Sequence, residues 1–101
     1  MDESMDALVF KVKRWGEMHD LHDPKAQLNK CLEELGEVAH EISRNKINDN
    51  PDLIDAIGDT TVTLIILSNI CGYKFKECLK AAYEEIAMRS GKTEEGTFIK
   101  D

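Results

Sequence analysis

Ten consecutive residues, Val62 to Cys71, restrict the fold of this chain more than any other stretch. They read Val-Thr-Leu-Ile-Ile-Leu-Ser-Asn-Ile-Cys. Wound into a helix, this run is apolar nearly all round, so in a soluble chain it belongs at the centre of a fold or at an interface. It is too short and too interrupted to span a bilayer. A chain of 101 residues makes one small domain, residues 1–101, and a domain of that size cannot easily enclose one of its own helices. The expected architecture is therefore all-α: a four-helix bundle-like domain assembling as a homo-oligomer partly through this segment, with a short extended C-terminal tail.

Periodicity supplies the other elements. Residues 4–19 predict a first helix with Met5, Leu8, Val9, Val12 and Trp15 as its stripe. Asp23 and Pro24 form an N-cap and first-position pair for a second helix, Pro24 to Arg44. Its stripe is Leu28, Cys31, Leu32, Leu35, Val38, Ala39 and Ile42. Gly36 inside it costs about 1 kcal/mol against alanine, which points to close approach of a second backbone or a ligand. A polar loop, Asn45 to Asn50, leads through the cap signal Asn50-Pro51-Asp52 into a third helix ending near Ile70, and Gly72 stops it. A fourth helix, Phe75 to Arg89, is expected to turn Cys78, Leu79, Ala82, Tyr83 and Ile86 inward, with Gly91 closing it. The tail from Lys92 to Asp101 is polar except for Phe98 and Ile99, and reads as docked on a neighbour or loose.

Charge and cysteine content narrow the partners. A formal net charge of -7 and a pI of about 4.9 argue against nucleic-acid or anionic-membrane binding, which needs a basic face. Cys31, Cys71 and Cys78 are odd in number with no CxxC spacing, and read as buried, reduced thiols of a cytoplasmic protein. The start Met-Asp-Glu-Ser is acidic where a secretory signal is basic, so none is expected.

The chemistry lies in two acidic segments. Glu33, Glu34 and Glu37 fall within one arc of the second helix, and Asp55 and Asp59, at i and i+4, share an arc of the third. Facing each other, they would place five carboxylates around one small volume, a costly arrangement without a cation. Most acidic runs are solvated helix faces. Two features argue otherwise here. The glutamates lack lysines at i+4, and Asp55 and Asp59 lead straight into the apolar helix. A hard cation with oxygen ligands, Mg²⁺ or Mn²⁺ in its place, accounts for both. Glu37-Val38-Ala39-His40 has the Glu-x-x-His spacing of di-iron bundles, but no second copy is present, and His40 reads as a surface or supporting residue.

Glu-Glu-x-x-Glu on one helix followed by an acidic cluster ending in Gly58-Asp59 resembles the MazG-like all-α nucleoside triphosphate pyrophosphohydrolases, and looks closest to their short, phage-type, single-domain members. The resemblance takes in Trp15-Gly16, Gln27-Leu28-x-Lys30, Glu33-Glu34-Leu35-Gly36-Glu37 and Asp55-Ala56-Ile57-Gly58-Asp59. It continues through Ala82-Tyr83-x-Glu85-Ile86, Arg89-x-Gly91-Lys92 and Gly96-Thr97-Phe98-Ile99-Lys100. It implies a dimer or dimer of dimers, and Mg²⁺-dependent hydrolysis of a (d)NTP to the monophosphate and pyrophosphate in nucleotide-pool clearance. Glu33, Glu34, Glu37 and Asp59 match the metal-binding acids. The second motif is usually Glu-x-x-Asp; here Ala56 stands three before Asp59, and the acid is Asp55. Glu84 and Ala87 depart from positions often Asn and basic in the family. Within such a site Glu34 is a candidate for orienting or deprotonating the attacking water, while Lys30, Arg89 and Lys92 are candidates for phosphate contact. Trp15 can stack on a base or serve the core. Two alternatives stay open: a dUTPase-like or phosphoribosyl-ATP pyrophosphohydrolase, and a non-catalytic acidic bundle that binds a partner protein.

Overall fold

The structure is a computed structural model that describes residues 3–44 and 46–101. Asn45, at the start of the expected polar loop, and Met1-Asp2 of the acidic start lie outside the described residues. Four helices and a hairpin follow in order: α1 (Met5–Met18), α2 (Pro24–Arg44), α3 (Pro51–Ile70), α4 (Phe75–Ala87), β1 (Gly91–Glu94) and β2 (Thr97–Lys100). The starts of α1, α2 and α3 are set by side-chain caps, whereas Lys74 before α4 makes no such bond. Ser4 Oγ accepts from the Ala7 N–H at 3.1 Å, Asp23 Oδ1 from the Lys25 N–H at 3.0 Å, and Asn50 Oδ1 from the Leu53 N–H at 3.1 Å. Each satisfies a donor that the first turn leaves without an intrahelical partner. At the far end of α3, Gly72 adopts φ 86°, and the Tyr73 N–H returns to the Ser68 carbonyl at 2.9 Å. That bond closes the helix and turns the chain toward α4.

The apolar helix is central, as its composition requires: α3 packs against α2, α1 and α4. It is antiparallel to α2. Gln27 Nε2 near the start of α2 donates to the Thr63 carbonyl at 3.1 Å, and Asn50 Nδ2 at the start of α3 donates to Glu41 near the end of α2 at 3.1 Å. The core is small: Cys31 from α2, with Leu53, Ala56, Ile65 and Ile66 from α3. Gly16 of α1 is also buried, and a Cβ there would lie 3.1 Å from Ile66 Cγ1. Its missing side chain is what lets α1 close on α3. Although the ten-residue run is short, α3 as a whole is long and apolar enough, by length and composition alone, to cross a membrane. The same property suits the central helix of a globular fold, and Asp55 and Asp59 lie in its path.

Several expected faces are turned differently. The part of α2 that meets α3 is not the leucine stripe. It is Gln27, Cys31, Glu34, Val38 and Glu41, spaced four and three apart and all buried or half-buried. Leu28, Leu32, Leu35 and Ile42 remain exposed beside it. On α4 no residue is buried, so Cys78, Leu79, Ala82, Tyr83 and Ile86 stay exposed within one chain; α4 packs mainly on α3 and reaches α1 through the Lys76–Asp6 ion pair. Cys71, at the C-cap of α3, and Cys78, on α4, are exposed free thiols, and only Cys31 is buried. Helix α4 stops at Ala87 rather than Arg89. Gly91, expected to close it, instead opens β1.

The tail is more ordered than its composition suggested. β1 and β2 pair antiparallel, with Gly91 opposite Lys100 and Glu94 opposite Thr97. Glu95 and Gly96 join them at φ 49° and 79°, the two positive values of a type I′ turn. A Cβ on Gly91 would lie 2.7 Å from Phe98 Cζ, so the ring rests over this residue only because it is glycine. Every strand residue is exposed.

Candidate functional site

The antiparallel pairing of α2 and α3 brings the two acidic segments together. Glu34, Glu37 and Glu41 of α2, with Asp52, Asp55 and Asp59 of α3, line a cleft of about 260 Å³ floored by Ala56. Four of the five expected acids are among them. Glu33 is not; its side chain turns out toward Lys30. Glu41 and Asp52 were not expected there, although their spacing was visible: each lies one helical turn beyond an assigned acid. Asp52 is also the first-turn acid of α3, and Glu41 also accepts from the Asn50 cap.

A second cleft, of about 600 Å³, opens on the other side of the same acids. Its walls include Trp15, Leu21, Ala26, Val62 and Ile66, with Gln27 and Thr63 at its base, and Lys30, Glu34 and Asp59 along the edge toward the acidic cleft. Glu34 and Asp59 therefore belong to both clefts. Trp15 is 52% exposed, so it is a wall rather than core. Its ring stacks on His19 with centroids 4.1 Å apart, and His19 Nδ1 donates to the Trp15 carbonyl at 2.8 Å, fixing the pair at the end of α1. Gln27 was quoted only as part of a motif. Its burial and its bond to Thr63 make it the best-anchored polar group of the cleft. Of the expected phosphate contacts only Lys30 is here. Arg89 pairs with Glu85 at 2.8 Å and Lys92 with Glu94 at 3.1 Å, and neither lines either cleft.

The charges are strongly one-sided. Among the described residues Lys30 is the sole lysine or arginine on either cleft wall. Its Nζ stands 3.3 Å from Glu34 Oε1 and 3.4 Å from Glu33 Oε1. The Glu34 hydrogen bond, and then the Glu33 charge, hold the ammonium's pKa above its ordinary value. The Asp59 pKa is raised as well, which in an acid disfavours the charged form. Burial, and then the Asp55 and Glu34 carboxylates, push its pKa up, with Lys30 opposing. The neighbouring carboxylates contribute to both shifts, but for Asp59 burial comes first.

The donor set is carboxylate oxygen only, which suits a hard divalent cation and not zinc or an iron–sulfur cluster. Among the described residues no three His, Cys, Asp or Glu side chains stand close enough to hold one ion in their present rotamers. His40 is exposed and lines neither cleft, so the Glu-x-x-His spacing builds nothing.

No family model matches the chain. Its fold is that of a candidate pyrophosphatase, YpjD of Bacillus subtilis: the two structures superpose with a TM-score of 0.69 over 88% of this chain and 98% of that one, at 23% sequence identity. At that identity the likeness is one of fold. In sequence, the chain is similar to an uncharacterized 18.2 kDa protein encoded in the rep-hol intergenic region of Haemophilus phage HP1 (strain HP1c1). The two are 34% identical over 68 residues, covering 63% of this chain and 39% of the phage protein. The chain thus spans well under half the length of that relative.

Proposed function

We propose that this chain is a Mg²⁺-dependent nucleoside triphosphate pyrophosphohydrolase, a single domain that cleaves (d)NTPs to (d)NMP and pyrophosphate in the cytoplasm. The observation that carries the reading is the continuity of the two clefts. An apolar, tryptophan-walled cleft suits a nucleoside, an all-carboxylate cleft suits metal and phosphates, and Glu34 and Asp59 stand where the two meet. The fold shared with a candidate pyrophosphatase supports the same reaction class.

Glu34, Glu37, Asp55 and Asp59 would hold Mg²⁺, with Mn²⁺ as a substitute. Bound there, the ion neutralises phosphate charge and lowers the pKa of water. Trp15 offers a ring face for a base, and Gln27 presents an amide fixed through Thr63. Glu34, at the junction, is placed to orient or deprotonate a water between the two halves of the substrate. Glu33 serves by holding Lys30. Arg89 and Lys92 could reach a phosphate only from another copy of the chain.

That copy has surfaces to occupy. Leu28, Leu32 and Leu35 on α2 and Leu79, Tyr83 and Ile86 on α4 form apolar faces that one chain leaves open. A Cβ at Gly36 or Gly58 would meet nothing within the chain, so neither glycine is explained by its own fold. A homodimer or tetramer accounts for both. No nucleic-acid or membrane partner is invoked.

The test is pyrophosphate release from the four ribo- and four deoxyribonucleoside triphosphates, with Mg²⁺ and with EDTA. Metal-dependent release alongside the monophosphate, abolished by Glu37→Gln with helical content unchanged, is expected. The ranking of substrates separates a general enzyme from a dUTPase-like one, and adding phosphoribosyl-ATP covers that alternative. One structural observation favours a partner-binding role instead: Ala56 floors the acidic cleft where the resembling family places a carboxylate. A folded protein that releases no pyrophosphate from any of these would select that role.

A further inference from the structure

We propose that Lys30 is a displaceable counterion: it holds Glu34 while the acidic cleft lacks a metal, and moves to the substrate's phosphates when a divalent cation takes Glu34. The inference rests on the metal-dependent reading above and adds a step to it.

Three observations support the exchange. Lys30 is the single Lys or Arg among the described residues that line either cleft, and it stands against six acids of the smaller one. Its ammonium is bound to Glu34, which lines both clefts and whose side chain is only 16% exposed. Among the described residues no three acids stand at ligating separation, and Glu34 is a cleft acid that a cation of the chain itself already holds. The helix explains the default. Side chains lean toward the N-terminus of their helix, so Glu34 reaches naturally back to Lys30, one turn earlier, and not toward Glu37. To turn further toward Glu37 and Asp59, with which it already lines the acidic cleft, it loosens its hold on Lys30.

An ammonium and a divalent cation on one carboxylate repel each other, so each weakens the other's hold on Glu34. The freed ammonium has a four-carbon stem and lies at the edge of the larger cleft, where the triphosphate passes from one cleft to the other. Its release turns a partner of the resting protein into a phosphate contact. Metal alone then binds against competition from Lys30, whereas metal and phosphate together bind with mutual gain.

The experiment compares Mn²⁺ binding by calorimetry or electron paramagnetic resonance in the full chain, as wild type, Lys30→Met and Lys30→Arg. It then compares binding of the Mn²⁺ complex of tripolyphosphate. Expected for Lys30→Met is Mn²⁺ affinity roughly two- to fivefold tighter, from removal of an exposed competitor. Affinity for Mn²⁺-tripolyphosphate should fall about tenfold or more, from loss of a charged hydrogen bond. Lys30→Arg should stay near wild type in both. A variant that merely damages the site would weaken both ligands together. Lys30→Met with unchanged or weaker Mn²⁺ binding, in a wild type that binds Mn²⁺, overturns the exchange and leaves the metal reading standing. A wild type that binds no Mn²⁺ removes the metal reading, and the exchange with it.

Discussion

Gly16 and Ile66 should show opposite signs of the same substitution in two backgrounds. Ile66 is 3% exposed, and its Cγ1, Cγ2 and Cδ1 lie 3.1, 3.2 and 3.4 Å from where a Gly16 Cβ would stand. Gly16→Ala gains about 1 kcal/mol from helix propensity. It also forces the methyl against all three branches of Ile66, and overpacking of this kind costs about 1–3 kcal/mol. The net result is a loss of about 0–2 kcal/mol. Ile66→Ala removes three carbons, worth about 2.4 kcal/mol at ~0.8 kcal/mol each. The added cavity cost is small because Ile66 already borders the larger cleft. In that background the clash is gone, and Gly16→Ala should stabilise by about 1 kcal/mol. The coupling is therefore about 1–3 kcal/mol, well above the error of additivity for separated sites. Thermal and urea unfolding by circular dichroism measures it, with 1 kcal/mol moving Tm by roughly 4–8 °C at this size. All four proteins must be at one concentration, since association shifts apparent stability. Gly16→Ala stabilising both backgrounds equally would refute the close approach of α1 to α3.

Asp59→Asn should stabilise the metal-free protein at pH 7, by less than about 1 kcal/mol because solvent screens the repulsion. The folded protein holds the Asp59 proton to higher pH than the unfolded chain, so ionised Asp59 costs stability above the raised value, and the advantage of Asn should vanish below the ordinary value of 3.8. Melts in EDTA at the two pH values check this, and a more stable wild type at pH 7 would contradict it. In the proposed homo-oligomer, Leu32→Glu, on an exposed part of α2, should leave helical content intact and yield monomers by sedimentation. Unchanged size would show that this face is free in solution.

The starts of α2 and α3 were legible because capping chemistry is local, whereas the end of α4 was not. Asp23-Pro24 and Asn50-Pro51 announce the starts of α2 and α3 to the residue. What failed was the orientation of faces. The seam of α2 carries Gln27, Glu34 and Glu41, polar residues that a hydrophobic pattern assigns to solvent, while the leucines read as core are exposed in one chain. Periodicity detects an apolar stripe but cannot tell an internal contact from one made with another molecule. The hairpin escaped notice because Glu95 is a poor marker for positive φ, and only Gly96 hinted at the turn. At the site, the antiparallel partnership of Glu34 and Glu37 with Asp55 and Asp59 could be read from spacing. Glu41 and Asp52 joined them because a straight helical pair extends any facing cluster by a further turn. Arg89 and Lys92 were placed by motif alone, and their distance from both clefts is a tertiary fact that spacing does not encode.

The hydroxyls of α3 have a consequence for whatever covers it. Thr60, Thr61, Thr63 and Ser68 each turn back to donate to a carbonyl of their own helix, those of Ala56, Ile57, Thr60 and Ile65, at 2.7–3.0 Å. The helix thereby spends its side-chain donors internally and shows its neighbours mainly hydrocarbon. A hydrocarbon surface rewards coverage but is nearly indifferent to a slide of one turn along it. Register along α3 must then come from the few directional anchors at its flanks, Gln27 on the Thr63 carbonyl and Asn50 on Glu41. These two amides act as the vernier of the α2–α3 pair: lose them, and the acids would still lie on facing helices but no longer opposite one another.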